Sequence, residues 1–166
     1  MTDPLEQLQA YGGVGVVVDT NLLLLLFLGS YDRKQIGMSR LASFSEKDFD
    51  ILIKLLARFK RIVTTPNILT EVSNLSNAIS EGKRAAYFTS FASRLALLDE
   101  QHIVSATALM SRWAKFGLTD AVIAAIAKNR YLVLTDDFRL SQSLQSDGID
   151  TLNFNHLRDA YWRMSN

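Results

Sequence analysis

The chain has no cysteine, two histidines among 166 residues and a net charge of only +1. The missing thiols exclude disulfides, cysteine-ligated zinc and cysteine nucleophiles, and they fit a reducing cytoplasm, the expected location. His102 and His156 have no constellation of catalytic partners around them. A charge so near balance excludes a strongly basic nucleic-acid binder, so any polyanion would need a local patch or a metal. There is no Gly-x-Ser-x-Gly elbow for serine chemistry. Gly12, Gly13 and Gly15 stand before the first apolar run, and no Lys-Ser or Lys-Thr follows it, which excludes a P-loop. The apolar run from Gly12 to Gly29 is broken in its middle by Asp19, Thr20 and Asn21, where a charge is expensive in lipid. Asp3 and Glu6 without a basic n-region do not make a signal peptide. The expectation is a soluble, unexported protein with no membrane partner.

What the chain does have is a large apolar fraction, 48%, against 21% charged residues. That suffices for one well-packed domain over residues 1–166, with residues 1–11 as a short leader. Val16-Val17-Val18 reads as a buried strand, and Leu22–Leu28 as a helix packed against it. After a polar stretch, Tyr31–Ser39, the run Ser45-Glu46-Lys47-Asp48 caps a helix carrying Phe49, Leu52, Ile53, Leu55, Leu56 and Phe59. Ile62–Thr65 is a second strand, and Pro66 opens a helix capped by Thr65. A helix follows over Arg84–Leu98. Ile103-Val104 is a candidate short strand and Ala106–Trp113 a helix stopped by Gly117. Thr119-Asp120 start an alanine-rich helix through Lys128. Tyr131–Thr135 is a third clear strand, followed by a helix over Phe138–Gln145. Asp147-Gly148 turn into a last strand, Thr151–Phe154, and Asn155 caps a terminal helix, His156–Met164. Alternating strands and helices predict a mostly parallel sheet covered on both faces.

The acids carry the chemistry. Asp19 and the pair Asp136-Asp137 each follow a strand, at the carboxyl end where open α/β sheets bind ligands. Glu71 lies in the helix after another strand, and Asp120 opens a helix. Singly, each has an ordinary explanation as a cap, a turn or a surface residue. Jointly, parallel strands bring them to one rim, where carboxylates without facing cations repel. A divalent cation resolves that conflict, and an all-oxygen donor set favours Mg²⁺ or Mn²⁺ over zinc. Such a centre activates water and offsets charge on a phosphodiester. Thr20, Asn21 and Thr135 are positioned to orient the carboxylates or bind a phosphate. The pairs Arg33-Lys34, Lys60-Arg61 and Lys83-Arg84 read as solvated surface, and Trp113, Tyr161 and Trp162 as core or interface.

This ordered set resembles the PIN-domain ribonucleases: a strand into Asp19-Thr20-Asn21, Glu71 on a helix, Gly117-Leu118-Thr119-Asp120-Ala121, then Leu134-Thr135-Asp136-Asp137-Phe138. The likeness spans roughly Val16 to Phe154. It implies a three-layer α/β/α sandwich and Mg²⁺- or Mn²⁺-dependent endonucleolytic cleavage of RNA. Many compact members are toxins of bacterial toxin–antitoxin pairs, often homodimers restrained by a protein antitoxin. By resemblance Asp19, Glu71 and Asp120 match the first three acids. The family's Thr-x-Asp selects Asp137 as the fourth, with Asp136 as the alternative. Asp19, Asp120 and Asp137 are then the metal ligands, and Glu71 completes the site directly or through water.

Two other readings use the same residues. A haloacid-dehalogenase-like phosphatase also has a strand ending in Asp, a Ser or Thr after another strand (Thr64 or Thr65) and a late acidic pair. It requires a second acid where Asn21 stands. A PIN fold acting only as a binding module has no use for a cluster of acids that costs stability.

Overall fold

The computed structural model describes residues 3–110 and 112–165, with the side chains of residues 78 and 162–165 outside the description. The Trp162 side chain, read above as core or interface, therefore lies outside it. Three valines, Val16–Val18 (β1), form the centre of the molecule, and all three are inaccessible to solvent. Ile62–Thr64 (β2) pairs on one side of β1 and Leu132–Thr135 (β4) on the other. Asp99–Glu100 (β3) and Thr151–Asn153 (β5) complete the sheet, whose order is β3-β2-β1-β4-β5 with every pair parallel. The chain reverses its direction of travel across the sheet at β1 and β4, the place where a crevice opens beyond the strand ends. Helices cover the sheet, giving the expected three-layer α/β/α sandwich.

The helix after β1, Thr20–Tyr31 (α2), is apolar on every side and buried from Leu22 to Gly29. A helix with no polar face must be surrounded. Here it packs against Glu46–Leu56 (α3), Pro66–Leu75 (α4), Glu81–Leu95 (α5) and β4. At Gly29 α3 comes close: a Cβ there would lie 2.6 Å from the Phe49 ring. The predicted capping box is present, with Ser45 and Asp48 exchanging hydrogen bonds at the start of α3. Thr65 caps α4 through a 3.2 Å bond to the Ile68 N–H.

Local expectations are refined at four places. The segment read as a short leader carries a full helix, Pro4–Tyr11 (α1), capped by Asp3. The Tyr11 hydroxyl donates a 2.6 Å hydrogen bond to Asp150. Burial first, and then that acid, push the Tyr11 phenol up to about 12. The third strand in chain order is not Ile103-Val104 but Asp99–Glu100, where the Gln101 N–H continues the ladder to the Thr64 carbonyl at 2.9 Å. Val104 is instead 70% exposed. α5 begins at Glu81, three residues before expected, since a glycine costs little in a first turn that has no inward ladder to complete. Finally, the terminal helix Phe154–Ser165 (α9) is capped by Asn153, whose Oδ1 accepts from the Asn155 N–H at 2.9 Å.

The remaining helices are Ser105–Leu109 (α6), Leu118–Ala127 (α7) and Phe138–Ser146 (α8). Single 3-10 turns lie at Arg33–Gln35, Ser39–Leu41, Ser76–Ala78 and Arg112–Phe116. Among the described residues no helix is long and apolar enough to cross a membrane.

Candidate active site

Register decides which side chains meet. Val18 pairs with Leu134, and the Asp19 N–H donates to the Leu134 carbonyl at 3.0 Å, so β1 and β4 end level. Asp19 leaves β1 as the cap of α2, its Oδ1 accepting from the Thr20 N–H at 2.7 Å. Its Oδ2 accepts from the Thr135 hydroxyl at 2.6 Å. The residue is only 8% exposed. Burial raises its pKa to about 6; the Thr135 and Thr20 hydrogen bonds oppose that rise, and the charges of Asp136 and Asp137 add to it.

Asp120, in the first turn of α7, belongs to the same electrostatic unit. Desolvation, then the charges of Asp19, Asp137 and Glu71, lift it to about 7. Glu71 reaches the rim from α4 and is held at both carboxylate oxygens: Oε2 accepts from the Thr20 hydroxyl at 3.0 Å and Oε1 from Thr119. Thr20 and Thr119 thus tie the starts of α2 and α7 to one carboxylate.

The two candidates for the fourth acid are placed differently. Asp137 is exposed and caps α8, its Oδ1 accepting from the Arg139 and Leu140 N–H groups at 2.7 and 3.0 Å. Its charge acts on both Asp19 and Asp120. Asp136 is half-buried and turned toward the amide of Asn21, at 3.3 Å. Burial raises its pKa, with Asp137 adding, while the Asn21 bond and the Arg158 guanidinium oppose the rise. Asp137 bears on both Asp19 and Asp120, whereas Asp136 bears on Asp19.

All eight residues singled out in the sequence lie at this rim. Thr20, Asn21 and Thr135 donate hydrogen bonds to Glu71, Asp136 and Asp19 respectively. The sequence reading missed Thr119, Asn155 and Arg158. Asn155 donates its amide to the Asp136 carbonyl at 2.7 Å, fastening α9 to the acidic turn. Thr119 stands beside Asp120 in the motif and was open to notice there; the other two arrive from the far end of the chain with no local signal. One member of each basic pair makes a surface ion pair: Arg33 with Asp50 and Glu46, Arg61 with Asp99, Lys83 with Asp32. Trp113 is core, packed on Phe116, and Tyr161 lies partly exposed over Lys54.

The donor set suits a hard divalent cation: every side chain offered is an oxygen ligand, and Arg158, whose charge bears on Asp136, is itself paired with Asp48 at 3.6 Å. In placement the set is open. Among the described residues no three His, Cys, Asp or Glu side chains stand close enough to enclose one ion. No protein-family model matches the chain, and no curated protein matches it.

Proposed function

We propose that this chain is a metal-dependent endoribonuclease of the PIN type. The observation that carries the reading is the placement of Asp19, Glu71, Asp120 and Asp137, four acids from four separate elements, at the carboxyl rim of a parallel sheet, with Thr20, Thr119 and Thr135 tying those elements together. Coupled carboxylates with so little compensating charge destabilise a fold. Their chemistry fits Mg²⁺ or Mn²⁺, which Asp19, Asp120 and Asp137 would hold, with Glu71 joining directly or through water. Bound there, such a cation supplies water activation and charge neutralisation at a phosphodiester.

The chain's own residues perform the positioning. Thr135 and the Thr20 N–H fix both oxygens of Asp19. Thr20 and Thr119 fix both oxygens of Glu71, so the groups facing substrate are oriented by partners on neighbouring elements. The first turns of α2, α7 and α8 open toward the rim and add a favourable field for phosphate oxygens. RNA is the substrate in this reading. A second copy of the chain, an antitoxin partner and a cytoplasmic location belong to it through the family resemblance alone.

The phosphatase reading has less to stand on. Asn21, in the place of the needed second acid, is an amide bonded to Asp136, and the Thr65 hydroxyl is inaccessible and committed to capping α4.

The test is cleavage of a mixed, labelled RNA pool with Mg²⁺, Mn²⁺ or EDTA, comparing the wild type with Asp19→Asn, alongside a phosphomonoester assay. Internal cuts that require the metal and fall at least about 100-fold in Asp19→Asn are expected. Full activity in that variant, or phosphomonoester hydrolysis without RNA cleavage, overturns the reading.

A further inference from the structure

The turn that carries the two adjacent acids is one residue wide. β4 ends at Thr135 and Asp137 already caps α8, so Asp136 alone lies between them. The two carboxylates go to different partners: Asp136 to the Asn21 amide at 3.3 Å, Asp137 to the N–H groups that open α8. Both charges act on Asp19, and that of Asp137 acts on Asp120 as well, so the direction of each matters to the whole rim.

The peptide unit that joins the two acids is pinned at both ends. Its N–H, on Asp137, donates to the Thr135 hydroxyl at 3.0 Å. Its carbonyl, on Asp136, accepts from the Asn155 side-chain amide at 2.7 Å. A peptide unit is a rigid plane that includes the Cα atoms on either side. Holding that plane at its hydrogen and its oxygen therefore holds both points from which the carboxylates leave. Thr135 is local to the turn, whereas Asn155 lies 19 residues beyond Asp136, in the first turn of α9.

Other groups dock α9. Phe154 is inaccessible to solvent and its ring lies 6.4 Å from that of Phe44. Arg158 donates to the Ser43 carbonyl at 3.1 Å and stands 3.6 Å from the Asp48 carboxylate. Asn153, paired in register with Thr135, accepts from the Asn155 N–H at 2.9 Å and sets where the helix begins. The Asn155 side chain is thus presented from a braced base, and its amide is directed at the acidic turn. A carbonyl oxygen is held only by a donor, which alanine or an ionised aspartate at 155 would not offer.

We propose that Asn155 is a positioning residue of the acidic rim, fixing the peptide between Asp136 and Asp137 and through it the direction in which each carboxylate leaves the turn. The inference rests on the ribonuclease reading for the metal that Asp137 would help to hold. Its statement about the turn applies to the metal-free protein.

The first arm of the test uses no metal. Amide hydrogen exchange is followed residue by residue by NMR in EDTA for the full-length wild type, Asn155→Ala and Asn155→Asp. Aspartate has the shape of asparagine and is favoured near a helix N-terminus, so the second variant keeps α9 while removing the donor. In both variants exchange at the Asp137 amide should quicken at least ~10-fold, with the Asp19 amide and the amides of α9 beyond its first turn unchanged within about 3-fold. An Asp137 amide unchanged in both variants overturns the proposal. So does an equal rise along α9, which would make Asn155 an anchor of the helix rather than of the turn.

The second arm measures the Mn²⁺ concentration that gives half of the full rise in Tm, for the wild type and Asn155→Ala. That concentration is expected to increase at least ~10-fold in the variant. Equal concentrations overturn the proposal and leave the nuclease reading standing. A wild type whose Tm does not respond to Mn²⁺ overturns the nuclease reading, while faster exchange confined to Asp137 still establishes that Asn155 holds the turn.

Discussion

The Thr135 hydroxyl stands between two acids of the rim, donating to Asp19 Oδ2 at 2.6 Å and accepting from the Asp137 N–H at 3.0 Å. Its side chain is inaccessible to solvent. One hydroxyl therefore orients the first carboxylate and sets where the chain turns into the last.

Thr135→Val tests that relationship with almost no change in shape. The valine leaves a buried carboxylate oxygen and an N–H without their partner, a cost of roughly 1–3 kcal/mol. Denaturant unfolding should report that loss. Loss of an orienting contact of this kind typically weakens metal affinity or activity about 10- to 100-fold. Thr135→Ser should recover most of both. An unperturbed Val variant would mean that Asp19 is held by the Thr20 N–H alone.

The raised acids make a signed pH prediction for the protein in EDTA. Asp120 has an ordinary pKa of 3.8 when unfolded and about 7 when folded. Below 3.8 both states carry the proton and its contribution to stability is complete. As pH rises toward 7 the unfolded chain gives up the proton first, so that contribution is lost. Asp19, raised to about 6, acts in the same sense. Asp120→Asn should therefore be more stable than the parent at pH 8 and no more stable at pH 3.5. Paired urea titrations at the two pH values measure this, and an equal difference at both would remove Asp120 from the coupled cluster.

Much of this could be read from the chain because the decisive signals are local. Val16–Val18 and Leu132–Thr135 announce buried strands, and the acids that follow them fall at strand ends by the logic of a parallel sheet. β3 was misplaced for the opposite reason. Asp99 and Glu100 have no strand propensity, and pairing with β2 makes them a strand, whereas Ile103-Val104 has the propensity and no partner strand. The contacts that complete the site, Glu71 to Thr20 and Asn155 to Asp136, span 51 and 19 residues, and only the fold creates them.

Gly29 offers a test of the core that is independent of chemistry. It faces Phe49, which is 5% exposed and carries the Arg33 guanidinium 4.9 Å above its ring. Alanine would improve helix propensity by up to ~1 kcal/mol, but its methyl group overlaps a ring with little room to retreat. The net expectation for Gly29→Ala is a loss of about 1–2 kcal/mol by chemical denaturation. A gain in stability would show that α3 can move away from α2 freely.

Metal binding separates the two adjacent acids without any RNA. A ligand at about 100 times its Kd stabilises the folded state by ~2.7 kcal/mol. For a domain of this size, that is a rise in Tm of roughly 5–10 °C. Mn²⁺ should raise the Tm of the wild type by such an amount and leave Asp19→Asn unmoved. Asp137→Asn keeps the cap of α8, because asparagine caps helices as well as aspartate, and it removes only the charge that acts on Asp19 and Asp120. Its Mn²⁺ response should collapse. Asp136→Asn removes a charge that bears on Asp19 but faces Asn21 and Arg158 rather than Asp120, so most of the response should survive. The reverse pattern would make Asp136 the fourth acid and reduce Asp137 to a helix cap.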